Sequence, residues 1–256
     1  MNITNNLWLR TPLRKIECTS RVFCFPHAGA GTSSFVPWAY LMSSGIEWSI
    51  ISYPGRENRL FEQPICNIYN MTQTICEVIT PLTHDYVFAF YGHSMGALIA
   101  FETARALRRN GYRIPTHLYL SGCNPPTDST TYGGNLANQS DEDLLARLNS
   151  YNGTSKVLLD NPEMMEIFLP ILRNDFRVLD SYSYVDEPPL CTNITIFYGT
   201  DDQSVNTSKI NQWKEHTNRR YKSRGLSGGH FFIYNDVNLS SIAEEINSDL
   251  AIMFLE

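Results

Sequence analysis

Ser94 stands at the centre of Gly92-His93-Ser94-Met95-Gly96, between the apolar run YVFAFY and the run ALIAFETARAL. A serine hydroxyl is a weak nucleophile at neutral pH. It attacks a carbonyl carbon only when a base takes its proton and an acid orients that base. Of the six histidines, His27, His84, His93 and His117 precede the later carboxylates or lie too near the serine. His216 and His230 follow both. His216 sits in KINQWKEHTNRR, a polar helical stretch, and is expected on the solvated surface. His230 sits in LSGGHFFIY, a glycine-flanked loop where a mobile imidazole base is expected; the bland alternative is a loop histidine that caps the next element. Asp201 and Asp202 end the β-like run in FYGTDDQSV. Spacing does not choose between them: one orients His230 while the other caps the following helix. The chemistry open to this set is acyl transfer through a covalent acyl-serine.

The context of Ser94 makes the pentapeptide more than a glycine-rich turn whose serine caps a helix. G-x-S-x-G after a strand and before a helix is the nucleophile elbow of α/β-hydrolases, where the chain order is serine, then acid, then histidine. The turn is sharp, so the neighbours must be small, and Gly92 and Gly96 leave room for strand and helix to approach. The helix N-terminus aims free N–H groups at the site and favours a developing oxyanion.

These residues must be carried by a scaffold. The chain has 256 residues, 43% hydrophobic and 18% charged, which suits one α/β domain with a large core. A net charge of −6 argues against nucleic acid as a partner. The six cysteines, Cys18, Cys24, Cys66, Cys76, Cys123 and Cys191, form no CxxC pair, so no zinc site or disulfide framework is indicated. Buried free thiols are expected for most. The start lacks the apolar core of a signal peptide, and no apolar run reaches membrane-spanning length; a cytoplasmic protein is expected.

Strands are predicted at Arg21–Phe25, Trp48–Tyr53, Tyr86–Tyr91, His117–Ser121, Ile194–Tyr198 and Arg220–Gly225, most of them apolar on both faces as in a covered parallel sheet. The last, RYKSRG, is polar and reads as an edge. Helices are predicted over Asn67–Leu82, Met95–Asn110 with Gly111 as its stop, and Asn238–Phe254. Strand-helix alternation predicts an α/β fold with a mostly parallel sheet. Between Ser121 and Ile194 lie about seventy residues, far beyond an ordinary loop. They carry helical patterns at Asp141–Ser150 and Pro162–Tyr182 and are closed by DEPP, so residues 125–190 read as a helical lid insertion within a single domain of residues 1–256. A structural helical layer without a gating role is the alternative.

VFCFPHAGAGTSSF has glycines after a strand, but Ser34 takes the place of the third glycine of a dinucleotide fingerprint and no acid ends the next strand. NAD binding is therefore rejected. A loop that turns backbone N–H groups toward Ser94 is the simpler account.

Taken together, FCFPHAGAG, ISYPGRENR, FYGHSMGALIAFE, LYLSGCNPP, FYGTDD and GGHFF resemble the type II thioesterases that serve nonribosomal peptide and polyketide synthases. The resemblance covers nearly the whole chain and implies an α/β-hydrolase fold. It implies Ser94, Asp202 and His230 as catalytic residues, with Asp202 preferred because the family's acid is the third residue after the glycine of the GxxD turn. It also implies the Met95 and Ala28 amides as the oxyanion hole. The implied substrates are acyl or aminoacyl groups on the phosphopantetheine arm of acyl or peptidyl carrier proteins, so phosphopantetheine is substrate and no cofactor or metal is expected. A monomer is the default. Apolar lid residues in LPILRNDF and EMMEIF are candidates for an acyl pocket, or pack on the sheet instead. Arg105, Arg108 and Arg109, or Arg56 and Arg59, are candidates for a basic docking patch; for the first three a solvated helix face is the favoured reading. The competing functions are a free-standing esterase or acyl-coenzyme A thioesterase, and a noncatalytic α/β-hydrolase-like binding protein.

Overall fold

Continuous apolar runs dictate a sheet covered on both sides, and the strands build one. The computed structural model describes residues 6–84, 86–128, 132, 134–151 and 161–253. Its strands are β1 (Leu9–Arg10), β2 (Ser20–Phe25), β3 (Ile46–Ile51), β4 (Val87–His93), β5 (His117–Ser121), β6 (Asn193–Gly199) and β7 (Tyr221–Leu226). They form one sheet in the order β1-β3-β2-β4-β5-β6-β7. All pairings are parallel except β1 with β3. The six predicted strands are all present, and polar β7 is an edge as expected. The two-residue β1 was not foreseen, because so short a run carries no periodicity.

Neighbouring residues of one strand feed opposite cores. Phe23, Phe25, Phe88 and Phe90 pack with α1 (Ile68–Ile79) and α2 (Met95–Arg109) on one face. Val22, Cys24, Ala89 and Tyr91 face α5 (Asp236–Met253) on the other, through Ile242, Ile246 and Leu250. That double burial is why the central strands read as continuous apolar runs. The predicted end of α5 at Phe254 lies outside the described residues.

Helix ends follow local chemistry. The Asn67 side chain accepts from the Tyr69 and Asn70 amides and starts α1. Gly111, at φ +70°, stops the chain after α2. Between β5 and β6 stand α3 (Asp141–Ser150) and α4 (Pro162–Asp180). Leu144, Leu148, Leu172 and Phe176 form a separate small core there, with Ala28 packed against it. Residues 129–131, 133 and 152–160 of the insertion lie outside the described residues. Among the described residues no helix is long and apolar enough to cross a membrane.

Three expectations about exposure are corrected. His216 is only 7% exposed, not solvated. Its ring lies against Phe101, Trp213 and Tyr184, because the turn at Ile210–His216 folds back onto α2. Arg105 is buried and paired with Glu102 and Glu187. Arg108 and Arg109 also pair with Glu187, so this helix face is not a free basic patch. Arg56 and Arg59 are likewise buried and cannot present a docking surface. Of the cysteines, Cys24, Cys76 and Cys123 are buried, Cys18 and Cys66 half-buried, and Cys191 exposed.

Buried imidazoles set an acid limit on stability. Burial depresses His216 to about 4 and His27 to about 4, from an ordinary value of 6.5. The unfolded chain therefore binds more protons than the folded one as pH falls through that window, and stability rises with pH there. Unfolding free energy is expected to be full above 6.5 and to decline as pH drops toward about 4. Urea unfolding at about pH 7.5 and about pH 5 tests this, and equal stabilities at the two would refute it.

Candidate active site

The C-terminal ends of β2, β4, β6 and β7 meet at one rim, where ligands of parallel sheets gather. β4 ends in the turn that carries Ser94, at φ 54° and ψ −119°, a strained conformation that costs of order 1–3 kcal/mol. Two features hold it. The Ser94 amide donates to the Ser121 carbonyl at 2.8 Å. The flanking glycines let β4, α2 and β2 touch: a Cβ on Gly92 would overlap the Gly96 carbonyl, and one on Gly96 would overlap the Phe25 carbonyl. Gly96→Ala is therefore expected to lower stability by about 3 kcal/mol. Denaturant unfolding measures it; a change below about 1 kcal/mol would contradict the close approach. The Ser94 side chain makes no helix-capping bond, contrary to the bland alternative for this serine.

The loop after β7 brings His230 to the same rim. Its Nε2 lies 3.0 Å from Ser94 Oγ, and its Nδ1 lies 2.8 Å from Asp202 Oδ2. An ionised carboxylate only accepts, so Nδ1 carries the proton and Nε2 is left to accept from the serine hydroxyl. Asp202 is buried. Asp201 is exposed, and its backbone amide donates to the Gly228 carbonyl, which fixes the β6 loop against the His230 loop. The geometry thus separates the two aspartates that spacing left equivalent.

Ser204 was missed. Its amide and hydroxyl both donate to Asp202 Oδ1, at 2.9 and 2.6 Å, and its Oγ lies 3.0 Å from His230 Nδ1. Burial would raise the Asp202 carboxyl, but the hydrogen bonds from His230 and Ser204 outweigh it and hold the group below its ordinary value. The sequence signal was present in DDQS, a serine two residues after an aspartate in a loop, which is an Asx-type turn.

His27 and His93 also surround the base. The His93 ring centroid is 5.1 Å from that of His230. Burial, with the neighbouring His230 adding to it, holds His93 well below its ordinary value. His27 is kept neutral mainly by burial. Both rings therefore stay uncharged near neutral pH, and a proton arriving on His230 meets no like charge from them.

Ala28 and Met95 line the same cavity as Ser94 and His230, a volume of about 550 Å³. Among the described residues neither the Ala28 nor the Met95 amide has a hydrogen-bond partner, so both remain free to donate. The helices α3 and α4 give the cavity an apolar strip of Leu148, Leu172, Phe176 and Leu179, with Arg147 and Tyr151 beside it. From LPILRNDF only Leu172 and Phe176 reach it. EMMEIF does not; Met164 and Ile167 point outward and are exposed. The PGRENR loop braces the Ala28 loop from behind. Glu57 accepts from the Thr32 and Ser33 amides at 2.8 and 3.0 Å, and Arg56 donates to the Ala30 carbonyl at 3.1 Å. Among the described residues no cluster of His, Cys, Asp and Glu is arranged to hold a metal.

With this geometry in hand, the likeness to known proteins is specific. The thioesterase-domain family matches residues 20–250. The gramicidin S biosynthesis protein GrsT of Aneurinibacillus migulanus is 40% identical over 219 residues, 84% of this chain and 83% of the relative. Thioesterase PikA5 of Streptomyces venezuelae is 30% identical, over 91% of this chain and 82% of the relative. Among solved structures, the type II thioesterase BorB from the borrelidin biosynthetic cluster superposes with a TM-score of 0.83 at 30% identity, covering 94% of this chain and 98% of that one.

Proposed function

This chain belongs to the thioesterase family, and from that premise we propose that it hydrolyses acyl and aminoacyl thioesters on the phosphopantetheine arm of carrier proteins, clearing stalled or misprimed synthase modules. One observation carries the proposal: the relay from Ser94 Oγ through both nitrogens of His230 to Asp202, at 3.0 and 2.8 Å.

The steps follow from the relay. His230 Nε2 takes the Ser94 proton as Oγ attacks the thioester carbonyl. The Met95 and Ala28 amides receive the oxyanion, each such donor contributing about 3 kcal/mol in comparable sites. The C–S bond breaks, and the pantetheine thiol leaves with the proton from His230. Water then gives its proton to His230 and attacks the acyl-serine, releasing the acid and restoring the hydroxyl. The neutral His27 and His93 favour this cycle, because the imidazolium forms beside uncharged rings. No cofactor takes part.

The apolar wall of Leu148, Leu172, Phe176 and Leu179 accepts the acyl chain, and α3 and α4 act as the lid over it. The protein works as a monomer in the cytoplasm. A hydrolysis panel tests the substrate class. Carrier-bound acyl thioester is expected to be turned over with the highest kcat/KM, the coenzyme A thioester next and a matching oxoester last. A preference for the oxoester would favour a free-standing esterase.

A further inference from the structure

The lid helix α4 meets the loop after β2 through one face, at Phe168, Leu172 and Asp175. A Cβ placed on Gly29 would lie 2.9 Å from the Phe168 ring and 3.6 Å from Leu172, and Gly29 itself sits at φ +76°. Only glycine lets the helix come so near. At this contact Asp175, 2% exposed, makes three hydrogen bonds. Its Oδ2 accepts from the Gly29 amide at 2.7 Å and from Arg56 Nη1 at 2.7 Å, and its Oδ1 accepts from Arg56 Nη2 at 2.5 Å. Arg56 Nη1 reaches on to the Ala30 carbonyl.

A buried carboxylate is expensive, and two apolar residues here would hold helix to loop at less cost. The bonds instead fall on particular peptide groups. The Ala28–Gly29 peptide is gripped from both sides: its N–H by Asp175, and its carbonyl oxygen by His27 Nδ1 at 2.9 Å. With that plane fixed, the orientation of the preceding Ala28 N–H is set by a single pair of backbone torsions.

We infer that Asp175 is a positioning residue for oxyanion stabilisation: from the lid helix it clamps the Ala28–Gly29 peptide so that the Ala28 amide stays aimed at the reacting carbonyl. Arg56 neutralises the carboxylate and fixes its plane by a two-pronged pairing. Burial works against the Arg56 charge, but Asp175 outweighs it and holds the guanidinium above its ordinary value. The donor is thus set when α4 is seated, which ties lid closure to oxyanion binding. The inference rests on the assignment of the Ala28 amide as an oxyanion donor.

The test uses an acyl trifluoromethyl ketone matched to a good substrate. Ser94 Oγ bonds to its carbonyl carbon, the serine proton passes to His230, and the ketone oxygen becomes the oxyanion. A thioether analogue that cannot react reports ordinary substrate binding. In Asp175→Asn the amide oxygen settles in the place of Oδ2, where it accepts from both the Gly29 N–H and Arg56 Nη1, and the NH₂ opposes Arg56 Nη2, so the clamp is weakened but not removed. For Asp175→Ala, kcat and trifluoromethyl ketone affinity are expected to fall together by about 10- to 100-fold, and for Asp175→Asn by less than about 10-fold. KM and thioether affinity should move less than about threefold. If the alanine variant does not fold, the paired replacement Asp175→Leu/Arg56→Met, which removes the clamp and leaves no buried charge unpaired, gives the answer. Wild-type affinity for the trifluoromethyl ketone in a folded alanine or paired variant, with the loss confined to KM or thermal stability, would reduce Asp175 to a brace and overturn the inference alone. If the wild-type protein forms no hemiketal, seen by fluorine NMR, the Ser94 and oxyanion assignments fall, and this inference falls with them.

Discussion

Ser94→Ala is expected to lower thioester turnover by about 100,000-fold, the scale seen when a serine nucleophile is removed from an intact relay. The hydroxyl is the only group of this residue that faces the His230 imidazole, at 3.0 Å, and no other hydroxyl is that close to Nε2 among the described residues. Stability should hardly change. The strained backbone is tolerated because the elbow is locked by its glycines and by the Ser94 amide bond to Ser121, and the alanine keeps both. The lost side chain made no helix cap, so a stability change within about 0.5 kcal/mol is expected. Single-turnover hydrolysis of an acyl-carrier thioester, with a thermal melt of the same preparation, measures both. Turnover above about 1% of wild type in a folded variant would remove Ser94 from the chemistry.

Asp202→Asn is expected to cost about 10,000-fold in kcat, and the reason is a proton on the wrong nitrogen. The Ser204 amide and hydroxyl both donate toward Oδ1. In the variant they hold the amide oxygen in that place, which leaves the NH₂ facing His230 Nδ1. Nδ1 must then accept, Nε2 takes the proton, and the imidazole can no longer receive one from Ser94. Asp201→Asn is the internal control. That residue is exposed and contributes its backbone amide, not its carboxylate, to the site, so activity should stay within about twofold. A larger loss from Asp201 than from Asp202 would reverse the assignment. Asp202→Asn/Ser204→Ala removes one of the two donors at the Oδ1 place, the hydroxyl, and keeps the backbone N–H, so the amide is held less firmly and partial recovery relative to Asp202→Asn is the mark of this tautomer account.

The Arg56–Asp175 pair gives PGRENR a role different from docking. Both ends are buried, and Glu57 beside it ties down the turn after Gly31. The motif therefore acts inward, on the loop that carries Ala28.

Read by itself, the sequence determined the periodic and the local. The strands follow from continuous apolar runs and the helices from apolar steps of three and four, patterns set within a few residues of one another. The elbow follows from two glycines that must admit neighbouring backbone, and His117–Ser121 and Asp141–Ser150 match their predicted ends. The order serine, aspartate, histidine was legible for the same reason, since each lies just past a recognisable strand. Tertiary structure alone decided what depends on partners distant in the chain. His216 looked solvated because its neighbours in sequence are polar, yet it is buried by Phe101, more than a hundred residues away. Arg56 looked free because its counter-charge, Asp175, lies on a helix 119 residues later. Asp202 differs from Asp201 only through His230 and the turn at Ser204, contacts made when separate loops close on one rim. Burial and pairing are properties of the assembled chain, and a linear pattern reports them only where the partner is a near neighbour.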